Sequence, residues 1–142
     1  MFSTVASWIV VLAGFWGSQA PPAVASRPLD YEVFKTQIEP IFLAKRPGHA
    51  RCVSCHSSGT PFRLQPLPPG AAMWTDEESR KNFQAVERVA SPGDLKSRIL
   101  VHPLAEDAGG DFFHSGGKHW QSQSDPEWQT LKAWILGRKT GA

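Results

Sequence analysis

Apolar residues recur at helical spacing near the start of the chain, in its middle and at its end. The first such stretch, residues 29–42, has Asp30 where an N-cap is expected and Pro40 where a bend is expected. Its spacing predicts an amphipathic helix whose inward face consists of Tyr31, Phe34, Ile38, Ile41 and Phe42.

The second helix is predicted to begin after Thr75, which forms a capping box with Glu78. Its inward residues are Phe83, Val86, Val89 and Ala90, and turn-forming residues at 91–94 end it. A short helix is expected over residues 95–101, with Leu95, Ile99 and Leu100 directed inward.

The last helix is predicted to begin after Asp125, with Pro126 at its first position, and to stop at Gly137. Its apolar face contains Trp128, Leu131 and Ile135. All the periodic segments are helical, and the chain has 12 Pro and 12 Gly residues, which favours short helices joined by many loops. The predicted fold class is therefore all-α.

Residues 2–20 differ from the rest because they contain no charged side chain. Such a run can cross a hydrocarbon layer of about 30 Å. We expect a hydrophobic helix over residues 1–20 that serves as a membrane anchor, followed by a Pro-rich tether over 21–28. The alternative is a cleaved signal peptide, with residues 23–25 as an A-x-A cleavage site. Both alternatives place residues 29–142, the expected globular domain, on the extracytoplasmic (periplasmic) side.

Composition and charge limit the functions and the cross-links that the chain can have. The chain has 142 residues and a formal net charge of +2, which gives no reason to expect nucleic-acid binding. Its two cysteines, Cys52 and Cys55, both belong to one motif, so no separate disulfide framework is available.

That motif is Cys52-Val53-Ser54-Cys55-His56. C-x-x-C-H is the spacing through which a c-type haem is attached covalently. The two thiols would form thioethers with the haem, and His56 would bind the iron as the proximal ligand. We therefore expect one haem c.

Two other chemistries use similar residues. A redox-active cysteine pair would need a strand-helix-strand pattern near the motif, and none is predicted there. A zinc ion could use Cys52 and Cys55 together with His114 and His119, which have H-x4-H spacing. The separation from Cys55 to His114 is longer than in a zinc finger, and zinc leaves His56 without a role, so haem is favoured.

With these features, residues 29–137 resemble the class I cytochrome c family, and are most similar to cytochrome domains of planctomycete and acidobacterial proteins. The matching parts are the Ile-Glu-Pro-Ile-Phe helix before the motif, the Ser-Pro-Gly-Asp turn at 91–94 and the terminal helix with Trp128 and Trp134. The resemblance implies a small fold of short helices around the haem. Many family members supply a methionine as the distal iron ligand in the last long loop, but this loop contains none.

A branch of the family is similar to His-Gly-Gly-Gly-Lys in that loop, and residues 114–118 look like its counterpart. The resemblance thus implies His114 as the distal ligand, with His119 and His102 as alternatives. Met73 lies well before the loop and is a weaker candidate. His49 is expected on the surface.

Two further groups of residues flank the predicted haem. Lys45, Arg46 and Arg51 form a basic cluster, which we expect to be a solvated loop; the alternative is a docking rim for an acidic partner. If the distal loop crosses the haem, three aromatic residues would line the distal pocket: Phe112, Phe113 and Trp120.

These expectations together predict an electron carrier rather than an enzyme. It would exchange electrons with a membrane complex such as a photosynthetic reaction centre, a quinol-oxidising complex or a terminal oxidase, in photosynthesis or respiration. The alternative is a haem peroxidase or gas sensor whose sixth iron position is open.

Overall fold

A computed structural model describes residues 27–138. The first helix, α1, has an α-helical turn Tyr31–Val33, a π-helical stretch Phe34–Ile38 and a second α-helical turn Glu39–Leu43. It is followed by α2 (Cys52–His56), α3 (Asp76–Glu87), α4 (Arg98–Val101), a 3-10 turn (Glu106–Ala108) and α5 (Pro126–Ile135). These residues contain no β-strand, only an isolated bridge between Leu104 and Trp120, so the prediction of an all-α fold is confirmed for them.

Three of the four predicted helix starts are confirmed. The Asp30 side chain accepts a hydrogen bond from the Val33 backbone, and Thr75 and Glu78 form the capping box of α3. Asp125 caps α5 with Pro126 at its first position. These side chains satisfy backbone N–H groups that have no partner inside the helix.

The bend expected at Pro40 takes the form of the π-helical stretch that precedes it. The Glu39 backbone N–H donates to the Phe34 carbonyl, five residues back. Proline has no N–H, so a regular α-helical ladder cannot continue through Pro40, and the wider turn is one way to accommodate this.

Aromatic packing between α1, α3 and α5 forms the core. The Phe34 ring lies 5.3 Å from that of Phe83 and 5.8 Å from that of Trp134. Trp134 also donates from its indole nitrogen to the Asp30 carbonyl oxygen at 2.9 Å, and Trp128 donates to the Leu100 carbonyl oxygen at 3.1 Å. The last helix is thereby fixed to both α1 and α4.

One predicted core residue is misplaced. Leu95 is 50 % exposed, because α4 begins only at Arg98 and residue 95 belongs to the preceding turn. Asp94 holds that turn by accepting a hydrogen bond from the Lys96 backbone. Ile99 and Leu100 are buried as predicted.

The predicted anchor, residues 1–20, and most of the tether lie outside the described residues. No helix within residues 27–138 is long and apolar enough to span a bilayer.

Candidate functional site

A cavity of about 560 Å³ lies between α2, the end of α4 and the loop that precedes α5. Its walls include Phe42, Phe62, Ile99 and Trp120, so most of its lining is apolar. This volume falls within the range of about 300–1,000 Å³ that is typical of small-molecule and cofactor pockets.

Helix α2 brings the residues of the C-x-x-C-H motif to this cavity. Cys52, Cys55 and His56 all line it. Cys52 is partly buried, which raises the pKa of its thiol, whereas Cys55 is exposed. The two thiols are free and lie one helical turn apart on one wall.

The His56 ring is oriented by the segment that follows α2. Its Nδ1 lies 3.0 Å from the Phe62 carbonyl oxygen and 3.2 Å from the Thr60 hydroxyl. A carbonyl oxygen can only accept, so Nδ1 carries the proton and Nε2 keeps a lone pair for a metal. Burial lowers the pKa of His56, which favours this neutral form.

The ring of His114 lies near that of His56 and is almost parallel to it. The ring centres are 6.2 Å apart, and the ring planes differ by 17°. His114 Nδ1 donates to the Gly117 carbonyl oxygen at 2.5 Å, so its Nε2 also keeps a lone pair. Burial lowers the pKa of His114 as well.

The separation of the two ring centres is compatible with a metal held between the rings. Imidazoles that bind one ion from opposite sides through bonds of about 2.0–2.1 Å have ring centres about 6 Å apart. His56 and His114 show this separation, and both have their Nδ1 bonded to a backbone carbonyl. With two thiols on the same cavity wall, these residues fit a haem attached through Cys52 and Cys55.

Gly116 makes room for the His114 ring. A Cβ atom at this position would lie 3.3 Å from His114 Cε1 and 3.8 Å from His119 Nε2. Gly117, with φ of 78°, reverses the chain so that its carbonyl meets His114 Nδ1.

Of the other three histidines, His102 and His119 lie beside His114, and His49 lies beside His119. His102 lies 4.9 Å from the His114 ring and pairs through Nδ1 with Asp111 at 2.8 Å. His119 lies 5.7 Å from His114, and burial lowers its pKa to about 4. His49, expected on the surface, is partly buried with its ring 5.1 Å from that of His119.

An ion pair beside the cavity was not predicted. Arg46, 12 % exposed, binds Glu127 and also donates to the Ile41 carbonyl oxygen at 3.1 Å. Trp120 donates to Glu127 at 3.2 Å. Of the predicted basic cluster, Arg46 is therefore neither solvated nor available as a docking rim, whereas Lys45 and Arg51 are exposed.

The prediction for the distal aromatic residues was partly wrong. Trp120 is buried and lines the cavity, but Phe112 and Phe113 are 83 % and 65 % exposed and do not. The loop turns at this point, since the Asp111 backbone N–H bonds to Val101 and both rings lie outside. Met73 is exposed and does not line the cavity, so its position does not favour it as a ligand.

The structure gives no support to a zinc site or to a redox-active cysteine pair. Among residues 27–138, no three His, Cys, Asp or Glu side chains group closely enough to hold a metal ion by themselves. The same part of the chain has no strand beside the motif, as a redox pair of the predicted kind would need. A haem iron needs only two protein ligands, so these findings do not bear on it.

No protein-family model matches the chain, and no match was found among curated proteins or solved structures.

Proposed function

We propose that the protein is a c-type cytochrome that holds one haem and transfers single electrons. The observation that carries this proposal is the pair of imidazoles of His56 and His114, 6.2 Å apart and nearly parallel, in a cavity beside Cys52 and Cys55. The motif alone predicts a thioether-bound haem whose iron has one protein ligand, His56. The second, nearly parallel imidazole is what favours an iron with both axial positions occupied.

Haem supplies an iron that gains or loses one electron. Cys52 and Cys55 would hold it covalently, and His56 and His114 would each present Nε2. Both histidines are fixed through Nδ1 to the backbone, so neither ligand has to rearrange when the charge changes. The apolar walls around Phe62 and Trp120 would pack against a bound haem and limit the access of water to it.

The first test is the low-temperature EPR spectrum of the purified, oxidised full-length protein. We expect covalent haem, detected as its pyridine haemochrome, and a low-spin signal from two histidine ligands. In His114→Ala, the signal should become high-spin. His102→Ala is the matched control: it removes a neighbouring imidazole, 4.9 Å from the His114 ring, that is not the proposed ligand, and it should stay low-spin.

Other results would contradict the proposal. A protein without covalent haem would exclude a c-type cytochrome. A high-spin signal in the unmutated protein would mean an open iron and would favour the peroxidase or gas-sensor alternative instead.

The proposed carrier works at a membrane. Residues 1–20 would anchor the domain on the extracytoplasmic side, within a tether's length of a partner such as a reaction centre, a quinol-oxidising complex or an oxidase. An anchor raises the effective concentration of the carrier near such a complex. Replacing residues 1–20 with a cleavable signal sequence should release the haem domain from membranes; if it stays in the membrane fraction, the anchor is elsewhere.

A further inference from the structure

A buried carboxyl group lies outside the cavity, between α1 and α3. Glu39 is only 1 % exposed, and its polar neighbours Ser79 and Asn82 are fully buried. Ser79 donates its hydroxyl to Glu39 Oε2 at 2.9 Å. Within residues 27–138, Glu39 Oε1 and Asn82 Nδ2 have no hydrogen-bond partner.

The register of α1 explains how a carboxyl group reaches this position. The π-helical stretch lets Glu39 follow Phe34 by five residues on the same face, as the hydrogen bond between their backbones shows. A regular α-helix would have turned residue 39 away from the core. The same turn that accommodates Pro40 thus places Glu39 inward.

The charges around Glu39 do not offset a buried carboxylate. Lys35, one turn earlier on α1, is already paired with Asp76 at the start of α3. These two groups act on Glu39 in opposite directions, and Ser79 and Asn82 are neutral. Burial is the dominant effect and raises the pKa of Glu39 above its ordinary value of 4.5, while the hydrogen bond from Ser79 lowers it in part.

Backbone contacts connect this cluster to the proximal histidine. Asn82 Oδ1 accepts a hydrogen bond from the Gln65 N–H at 2.6 Å, and the neighbouring Leu64 N–H donates to the His56 carbonyl oxygen at 2.7 Å. The same segment carries the Phe62 carbonyl that receives His56 Nδ1. A change in the charge of Glu39 would therefore act on His56 through Asn82 and residues 62–65.

We propose that Glu39 is a proton-binding site coupled to the oxidation state of the cofactor. This inference rests on the proposed function. In the coupled reaction, one electron from an external one-electron donor enters the cofactor, and one proton from solvent converts the Glu39 carboxylate to the carboxylic acid. The net charge of the protein is unchanged. Oxidation reverses both transfers.

The test is the reduction potential of the haem-loaded full-length protein, measured from about pH 5 to about pH 9. Full coupling changes the equilibrium constant for reduction tenfold per pH unit, which is about 59 mV for one electron. The potential of the unmutated protein should fall as pH rises through the titration of Glu39. In Glu39→Gln, this part of the pH dependence should disappear.

Two further variants sharpen the test. Glu32→Gln removes an exposed carboxyl group from the same helix and should leave the pH dependence unchanged. Ser79→Ala removes the hydrogen bond that favours the ionised form, so the pH-dependent region should move to higher pH. The reduced-minus-oxidised infrared spectrum should also contain a protonated carboxyl band that Glu39→Gln lacks.

The outcomes separate this inference from the proposed function. If no covalent haem is present, the proposed function fails. If haem is present but Glu39→Gln has the same pH dependence and the same infrared spectrum as the unmutated protein, only the role of Glu39 is overturned.

Discussion

Arg46 and Glu127, which are 81 residues apart in the sequence, form an ion pair beside the cavity, with Arg46 Nε 2.8 Å from Glu127 Oε2. Glu127 also accepts the indole N–H of Trp120, whose ring lines the cavity. The Arg46 guanidinium lies 5.8 Å from the Trp120 ring centre. These contacts hold the loop before α2 and the start of α5 against the same wall of the cavity.

Glu127→Gln should therefore destabilise the fold. The change removes the charge that compensates the largely buried Arg46, and we expect a loss of about 1–3 kcal/mol in the free energy of unfolding. Urea denaturation would measure it. Glu77→Gln is the control, because its pair with Lys81 is exposed and should contribute far less than the Arg46 pair. Equal effects in the two variants would contradict a structural role for the Arg46 pair.

His114→Met should raise the reduction potential. A thioether ligand favours the reduced iron more than an imidazole does, so we expect an increase on the order of 0.1 V within the about 0.8 V range set by axial ligands. A redox titration of both proteins would measure the difference. For the unmutated protein, we expect a potential below that of a His/Met cytochrome of similar burial. An unchanged or lower potential in a variant that remains low-spin would count against His114 as a ligand.

Gly116→Ala should alter the distal ligand with little effect on global stability. The new Cβ would lie 3.3 Å from His114 Cε1, which forces the ring to move by a few tenths of an ångström. We expect shifted EPR g-values and a loss of stability below about 1.5 kcal/mol. Ser115→Ala adds no atoms to the same loop and should keep the original spectrum. An identical spectrum in Gly116→Ala would mean that His114 is not held at this position.

Asp76 should stabilise the fold in a pH-dependent manner. Hydrogen bonding to Lys35 is the main cause that lowers the pKa of Asp76 from 3.8 to about 2, with Tyr31 and Arg80 contributing. A carboxyl group whose pKa is depressed in the folded state stabilises fully above its unfolded pKa and loses this effect as pH falls. Asp76→Asn should therefore be less stable at neutral pH, and the difference should vanish between about pH 4 and pH 2. Urea denaturation across this range would measure it; a difference that persists at the acid end would contradict the depressed pKa.

The sequence allowed most of the local structure to be predicted, because caps and periodicity act over a few residues. Asp30, Thr75 and Asp125 cap their helices as expected. His114 lies near His56 at the cavity, and its role as the distal ligand stays a prediction. Leu95 was assigned to the core because its spacing matches Ile99, but periodicity does not show where a short helix begins.

Long-range contacts leave no comparable signal in the local sequence. Arg46 stood among three basic residues, and nothing near it indicated a partner at residue 127. The inward position of Glu39 depends on a π-helical turn, which α-helical spacing does not include, although Pro40 directly after it marks the place where the ladder is interrupted. Phe112 and Phe113 were expected to line the cavity because their side chains are apolar. They are exposed because the chain turns after Asp111 and directs both rings into solvent.

The hydrogen bond from Trp134 to Asp30 also sets the order in which the molecule can be assembled. It joins residues 104 positions apart, so α1 acquires this partner only after α5 has been synthesised. Helix α2 precedes α5 in the sequence and is synthesised before it. During synthesis, the thiols of Cys52 and Cys55 are thus available before the last helix can close the core around them.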